Sequence, residues 1–275
     1  MDAAPAEERL QWVDVVAHGI EPNGRAWVTI PACPSGRRGG EPQPVDTLVD
    51  DVDQRLPDAG ILLEHAGHHA FAWSAERVGA PSDVPLTTGA RRPRPLTDAE
   101  WDILVDDFAK AAQLGIARQK PLGVVLDDDT LWHAHLSPRL HPGRTTETRE
   151  ERVLHLVERL LALQPNVVVA TCVDDLCPGG LDPLGGQRWV QRLVDAGVRK
   201  LWLSTGSSAM PLLAERHVRV DGGVSQQHQA LLAPVVRAAK LVDAEVWAVG
   251  PFAGTLPSVP SPLAGVVRWM RNRQS

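Results

Sequence analysis

Apolar positions along this chain alternate between two periods. Short runs of β-branched and aliphatic residues, with strands starting near 26, 61, 123, 166, 200 and 245, are separated by stretches whose apolar residues recur every three or four positions. The helical stretches include Val45, Leu48, Val49, Val52 and Leu56, then Trp101, Leu104, Val105, Phe108 and Ala112, then Val153, Val157, Leu160 and Leu161. Two more carry Trp189, Val190, Leu193 and Val194, closed by Gly197, and Leu231, Leu232, Val235, Val236 and Ala239. Thr97 to Glu100 reads as a capping box for the second helix, and Thr148 to Glu151 as a cap for the third. At the start of the chain, Gln11 to Ala17 and Ala26 to Pro31 read as a hairpin turning at Asn23-Gly24 or as a strand entering the core. Helices alternating with buried strands predict parallel βαβ units, and their number favours a (β/α)8 TIM barrel over an open sheet. Two strands of a closed eight are missing or weak. One would lie between 31 and 60, and the other is Gly265 to Trp269, so the barrel is expected to be shortened or degenerate around strands 2 and 8, with 1–275 forming a single domain.

The polar residues concentrate where these strands end. Strand Val124–Leu126 runs into Asp127, Asp128 and Asp129, and His133 and His135 follow within a loop rich in histidine. The strand at 61–63 ends in Glu64 and His65, the one at 166–171 in Cys172 and Asp174, and the one at 201–203 in Ser204. Carboxyl-terminal strand ends converge on one mouth in such barrels, so these side chains have a physical reason to be chemical. Crowded carboxylates raise one another's pKa and yield general acids and bases near neutral pH. Asp127 and Asp129 are the expected proton-transfer pair, His133 or His135 assists, and His65 orients. Trp73 and Trp132 are candidate pocket walls, and Glu64, Cys172, Asp174 and Ser204 candidate substrate contacts. Against this stand plainer roles: helix caps or Arg partners for the aspartates, a scaffold role for His65, a packed thiol for Cys172. The histidines with carboxylates match no established metal-binding spacing, and no metal is expected.

Composition narrows the partners. A formal net charge of −6 gives no general reason to bind nucleic acid, and no apolar run is long enough to suggest a membrane span. With no leader pattern, a cytoplasmic protein acting on a small-molecule substrate is expected; the weak strands leave an edge that a second copy, a homo-oligomer, would cover. The three cysteines form no disulfide framework. Nine Trp, three Phe and no Tyr exclude any mechanism that draws a proton from a tyrosine hydroxyl.

In this order and spacing the chain resembles the Old Yellow Enzyme family of flavin-dependent ene-reductases. The resemblance rests on Leu63-Glu64-His65-Ala66-Gly67-His68, on Leu96-Thr97-Asp98 through Phe108-Ala109-Lys110-Ala111-Ala112, and on Leu136-Ser137-Pro138 with Arg144, Glu147, Arg149, Glu150 and Arg152. Ala196-Gly197-Val198 to Ser204-Thr205-Gly206 and Val246 to Gly250 continue it. It implies a TIM barrel. The family's flavin contacts, matched by position, fall on different residues: the pyrimidine glutamine on Leu62, the paired histidines on Asp127 and Thr130, an arginine on Ala170, the phosphate glycines on Gly250-Pro251. Proline has no N–H to offer a phosphate, and carboxylates repel a reduced, anionic flavin. The expectation is therefore a flavin-independent enzyme with no cofactor, working by acid–base chemistry (cyclisation, isomerisation or dehydration) in specialised metabolism. The alternatives are an FMN-dependent ene-reductase or oxidoreductase with altered cofactor contacts, and a non-catalytic barrel serving as a subunit partner or ligand-binding protein.

Overall fold

A computed structural model describes residues 17–20, 25–33, 43–67, 79–85, 92–127, 130–206, 224–249 and 265–271. In chain order these form β1 (Ala17–Ile20), β2 (Ala26–Pro31), α1 (Val45–Arg55), β3 (Gly60–Glu64), β4 (Gly79–Ala80), β5 (Arg94–Pro95) and α2 (Asp98–Ala117). They continue as β6 (Leu122–Leu126), α3 (Leu131–Leu136), α4 (Thr146–Leu163), β7 (Val168–Cys172), α5 (Pro183–Asp195), β8 (Lys200–Ser204), α6 (Val224–Ala239), β9 (Glu245–Val249) and β10 (Gly265–Arg271).

Eight strands close into a barrel in the order β1-β10-β9-β8-β7-β6-β3-β2, with β4 and β5 making a separate two-stranded pair. Seven of the eight run parallel. The exception is β1, antiparallel to both β10 and β2. This refines the expected degeneracy: β2 pairs directly with β3, Trp27 opposite Gly60 and Ile30 opposite Leu63, so no strand intervenes where the second parallel strand was missing. The first hairpin arm fills the ring instead. It lies at Ala17–Ile20; of the Gln11 to Ala17 run expected for it, all but Ala17 lies outside the described residues. At the other weak point β10 is a full strand of seven residues, parallel to β9 with Val266 opposite Ala248.

Side chains alternate across the barrel wall, as a strand's period of two requires. Val28, Ile30, Ile61, Leu63, Val124 and Val169 face outward onto the helices, in one continuous core with Val52, Phe108, Val157 and Trp189. Trp27, Leu62, Val125, Ala170, Trp202 and Val249 face inward and pack on one another. Within this inner layer Trp27 and Trp202 meet edge to face, ring centroids 5.2 Å apart.

The helices begin where their capping residues place them. Thr97 and Glu100 form the capping box expected for α2: the Thr97 hydroxyl accepts from the Glu100 N–H, and the Glu100 carboxylate accepts from the Thr97 N–H. α4 starts three residues earlier than expected, with Thr145 as its cap and the Thr145 hydroxyl accepting from the Thr148 N–H. Two neighbouring threonines, Thr145 and Thr148, offer alternative caps, and the upstream one adds a further turn of helix. The stretch expected as a histidine-rich loop is the short helix α3, whose first turn is held by the Thr130 hydroxyl accepting from the His133 N–H. That single turn of structure decides where His133, His135 and Trp132 point.

Candidate active site

Glu64, Cys172 and Ser204 lie two residues beyond the inward-facing Leu62, Ala170 and Trp202, so strand alternation brings them to the inner face at the carboxyl end of the barrel. Asp127, two residues past Val125, continues the same series just beyond β6. All four are buried, Glu64 to 1% and Ser204 to 7% exposure. The Ser204 hydroxyl donates to Asp127 Oδ2 at 2.8 Å, bridging the ends of β8 and β6. Between them Cys172 stands opposite Ser204 in the register of β7 and β8, and its thiol donates to the carbonyls of Asp174 (3.2 Å) and Gly206 (3.6 Å).

His65 follows β3 into the turn that leads toward α3. Its carbonyl accepts from the Leu131 N–H at 2.7 Å, and its Nδ1 accepts from the Gly67 N–H at 3.1 Å, which leaves the proton on Nε2. Gly67 takes a φ of +53° there, and a Cβ would come within 2.8 Å of the Leu131 backbone, so the turn requires glycine. Burial lowers the His65 pKa to about 4, which keeps the ring neutral.

His133, on α3, places Nε2 2.8 Å from Asp175 Oδ1. The other carboxylate oxygen, Oδ2, accepts from the Ser137 hydroxyl and from the Leu181 N–H, each at 2.8 Å. Burial alone pushes the Asp175 carboxyl up, but the charge and hydrogen bond of His133 and these two donors outweigh it and hold the group below its ordinary range. Asp174 is pushed up by burial, and its Oδ1 caps the turn by accepting from the Leu176 N–H at 2.8 Å.

The structure separates the expected site residues into groups. Glu64, Asp127, Cys172, Asp174 and Ser204 gather at the mouth, His65 lies in the turn just after β3, and His133 sits beside the mouth against Asp175. Trp132 and His135 do not reach the mouth. Trp132 packs on Trp101 and Phe108, and His135 stacks edge-on against Trp101 at 4.8 Å and against His141 at 4.5 Å, in the layer between α2, α3 and α4. His135 Nδ1 lies 2.9 Å from the Arg149 carbonyl, and burial, reinforced by His141, lowers its pKa to about 3. A helix in place of a loop accounts for this, because adjacent residues of a helix point in different directions. Asp129 and Trp73, with Asp128, His68, His69 and the Gly250-Pro251 pair, lie outside the described residues. Sequence reasoning overlooked Asp175 and Ser137. The signals were present as the second acid of Asp174-Asp175 and as the serine of Leu136-Ser137-Pro138.

The two neutral histidines make stability depend on pH. His65 and His135 titrate near 4 and near 3 in the folded protein against about 6.5 in an unfolded chain. Between those values the unfolded chain binds more protons, so stability is complete above about pH 6.5 and falls as pH drops toward 4. Each ring contributes up to about 1.4 kcal/mol per pH unit. Urea unfolding at pH 7 and pH 5 should therefore differ by roughly 3–4 kcal/mol, and the fall should shrink by about half when His135 is replaced by glutamine.

No protein-family model matches the sequence, and no curated protein matches it. Solved structures do. Morphinone reductase superposes with a TM-score of 0.61 at 15% identity, covering 81% of this chain and 66% of that one. Histamine dehydrogenase from Rhizobium sp. 4-9 gives 0.66 at 15% over 84% of this chain, and a 2-naphthoyl-CoA reductase gives 0.62 at 14% over 80%. The chain thus spans just under two thirds of the first and little more than a third of the other two (36% and 37%). The expectation of a flavin-independent enzyme without a cofactor is corrected here, because the structures that share the barrel are reductases and a dehydrogenase. The physical reason is that the replaced contacts alter a few side chains on a frame that is otherwise kept. The chain has the TIM-barrel fold of these structures, its seven parallel strands closed into a ring by one antiparallel strand, β1, between β10 and β2.

Proposed function

We propose that the protein is an FMN-dependent oxidoreductase of the ene-reductase type, binding its cofactor and a small organic substrate at the carboxyl ends of β3, β6, β7 and β8. The observation that carries this reading is the donor and acceptor set at that mouth on a fold shared with reductases. The polar edge of an isoalloxazine carries an imide N–H between two carbonyl oxygens and therefore asks for an acceptor with donors beside it. Glu64 and Asp127 supply carboxylate oxygens, and neutral His65 holds a proton on Nε2. Below them the packed indoles of Trp27 and Trp202 close the barrel against water.

Bound FMN would supply hydride acceptance and donation, chemistry that no side chain can provide. The chain's own residues bind, orient and place protons. Ser204 Oγ holds the proton shared with Asp127 Oδ2, and in a chain without tyrosine it offers a hydroxyl at the mouth for proton transfer. The cytoplasm, whose thiols stay reduced, suits Cys33, Cys172 and Cys177, which form no disulfide with one another.

Carboxylates beside the cofactor favour its oxidised, neutral form over its reduced, anionic one. One unit charge at an effective dielectric near 20 is worth about 1–2 kcal/mol, or on the order of 30 mV for a two-electron couple. Titration of the flavin-stripped protein with FMN should quench flavin fluorescence saturably at one equivalent per chain, and Glu64→Gln should raise the bound flavin's potential by about that amount. Absence of saturable quenching would sink the reading, whereas binding with an unchanged potential in the variant would remove Glu64 from the cofactor's surroundings.

A further inference from the structure

Three side chains with different ligand chemistry converge beside the mouth without being adjacent in sequence. His133 comes from α3, Cys172 from the last residue of β7, and Asp175 from the turn after it. One ligand atom from each, an imidazole nitrogen, the thiol sulfur and a carboxylate oxygen, all lie within 4.8 Å of one another. All three residues are buried, Cys172 and Asp175 to 0% exposure.

We propose that His133, Cys172 and Asp175 form a binding site for one divalent thiophilic cation, zinc by ligand type. Nitrogen, sulfur and oxygen ligands placed tetrahedrally at 2.0–2.3 Å from zinc are about 3.3–3.6 Å apart. The 2.8 Å between His133 Nε2 and Asp175 Oδ1 and the 4.8 Å limit of the group bracket that spacing, so loading needs shifts of a few tenths of an ångström to about one. Charge also balances: a thiolate, a carboxylate and a neutral imidazole around a dication sum to zero, the condition under which a buried site avoids a large desolvation penalty. Thiolate selects against magnesium and calcium, which take oxygen ligands.

Outer contacts are in place as well. Ser137 Oγ and the Leu181 N–H fix Asp175 Oδ2 and leave Oδ1 directed at His133, the kind of second layer that orients metal ligands. Binding requires the Cys172 proton to leave. The thiol that donates to the Asp174 and Gly206 carbonyls becomes a thiolate, His133 gives up the proton it holds against Asp175, two protons are released to solvent per metal bound, and the contact between His133 and Asp175 is replaced by two bonds to the ion. Three protein ligands leave the fourth position of a tetrahedron for water or another small ligand. The site shares only Cys172, at the end of β7, with the mouth assigned to the flavin, and draws on neither Glu64, His65, Asp127 nor Ser204.

The test is the full-length protein dialysed against chelator, reloaded with one equivalent of Zn2+ and studied by native mass spectrometry and zinc X-ray absorption, readouts that flavin does not obscure. The expected result is one zinc per chain with a single sulfur at about 2.3 Å and nitrogen or oxygen at about 2.0–2.1 Å. Cys172→Ser should lose the sulfur while Cys177→Ser keeps it, and His133→Gln should weaken binding at least about tenfold. The proposal is overturned if the parent protein binds no zinc at one equivalent, or if its zinc has no sulfur in the first shell. It is overturned equally if sulfur scattering persists in Cys172→Ser. Should that variant fail to fold, the parent spectrum and His133→Gln still decide the matter.

Discussion

Trp202→Ala is expected to lower the stability of the barrel by about 4 kcal/mol, in the range for removing a large aromatic side chain from a core. Trp202 is 1% exposed, and its neighbours inside the barrel are Trp27, Leu62, Val125, Ala170 and Val249. Truncation removes the edge-to-face contact with Trp27 at 5.2 Å and leaves a void inside a ring whose strands are hydrogen-bonded on both sides. A closed ring collapses onto a void less readily than a helical layer does, which places the cost toward the upper part of that range. Trp202→Phe keeps an aromatic ring against Trp27 and should lose only part of this. Urea unfolding of the two variants beside the parent measures both losses. A cost below about 1 kcal/mol for the alanine variant would mean that the indole pair does not hold the barrel interior.

Asp175→Ala should cost a similar amount for a different reason. Its carboxylate, fully buried, serves His133 with one oxygen and the Ser137 hydroxyl and Leu181 N–H with the other. Its removal leaves several buried donors with an acceptor missing, and breaking a buried charged pair from one side typically costs about 3–5 kcal/mol. Asp175→Asn retains an acceptor for the Leu181 N–H and should cost markedly less. Far-UV circular dichroism through a thermal scan at neutral pH gives the ordering, parent above asparagine above alanine. An alanine variant as stable as the parent would show that the carboxylate is not needed to satisfy these donors.

The repeating units of the fold were legible in the chain because their signals are local. The six strands expected near 26, 61, 123, 166, 200 and 245 begin at 26, 60, 122, 168, 200 and 245. The way the ring closes was not legible. Whether Ala17–Ile20 pairs with β10 depends on contacts about 250 positions apart in sequence, and no local pattern encodes that pairing. The acidic strand ends were legible for the same reason as the strands, since alternation along β3, β7 and β8 carries Glu64, Cys172 and Ser204 inward once Leu62, Ala170 and Trp202 face inward. His133 and His135 were harder, because treating Leu131–Leu136 as loop erased the helical rotation that sends one toward Asp175 and the other toward Trp101. The cofactor expectation failed on a different point. Matching single flavin contacts by position weighs each replaced side chain as a loss, whereas a mouth can change its ligands while the strands that present them stay put.

The most direct test of the redox reading is the visible spectrum of the protein as purified, together with mass spectrometry of what it releases on denaturation. The expected result is a yellow protein with flavin absorbance that releases FMN at close to one equivalent per chain. A colourless protein that releases no flavin and leaves the fluorescence of added FMN unchanged would contradict it.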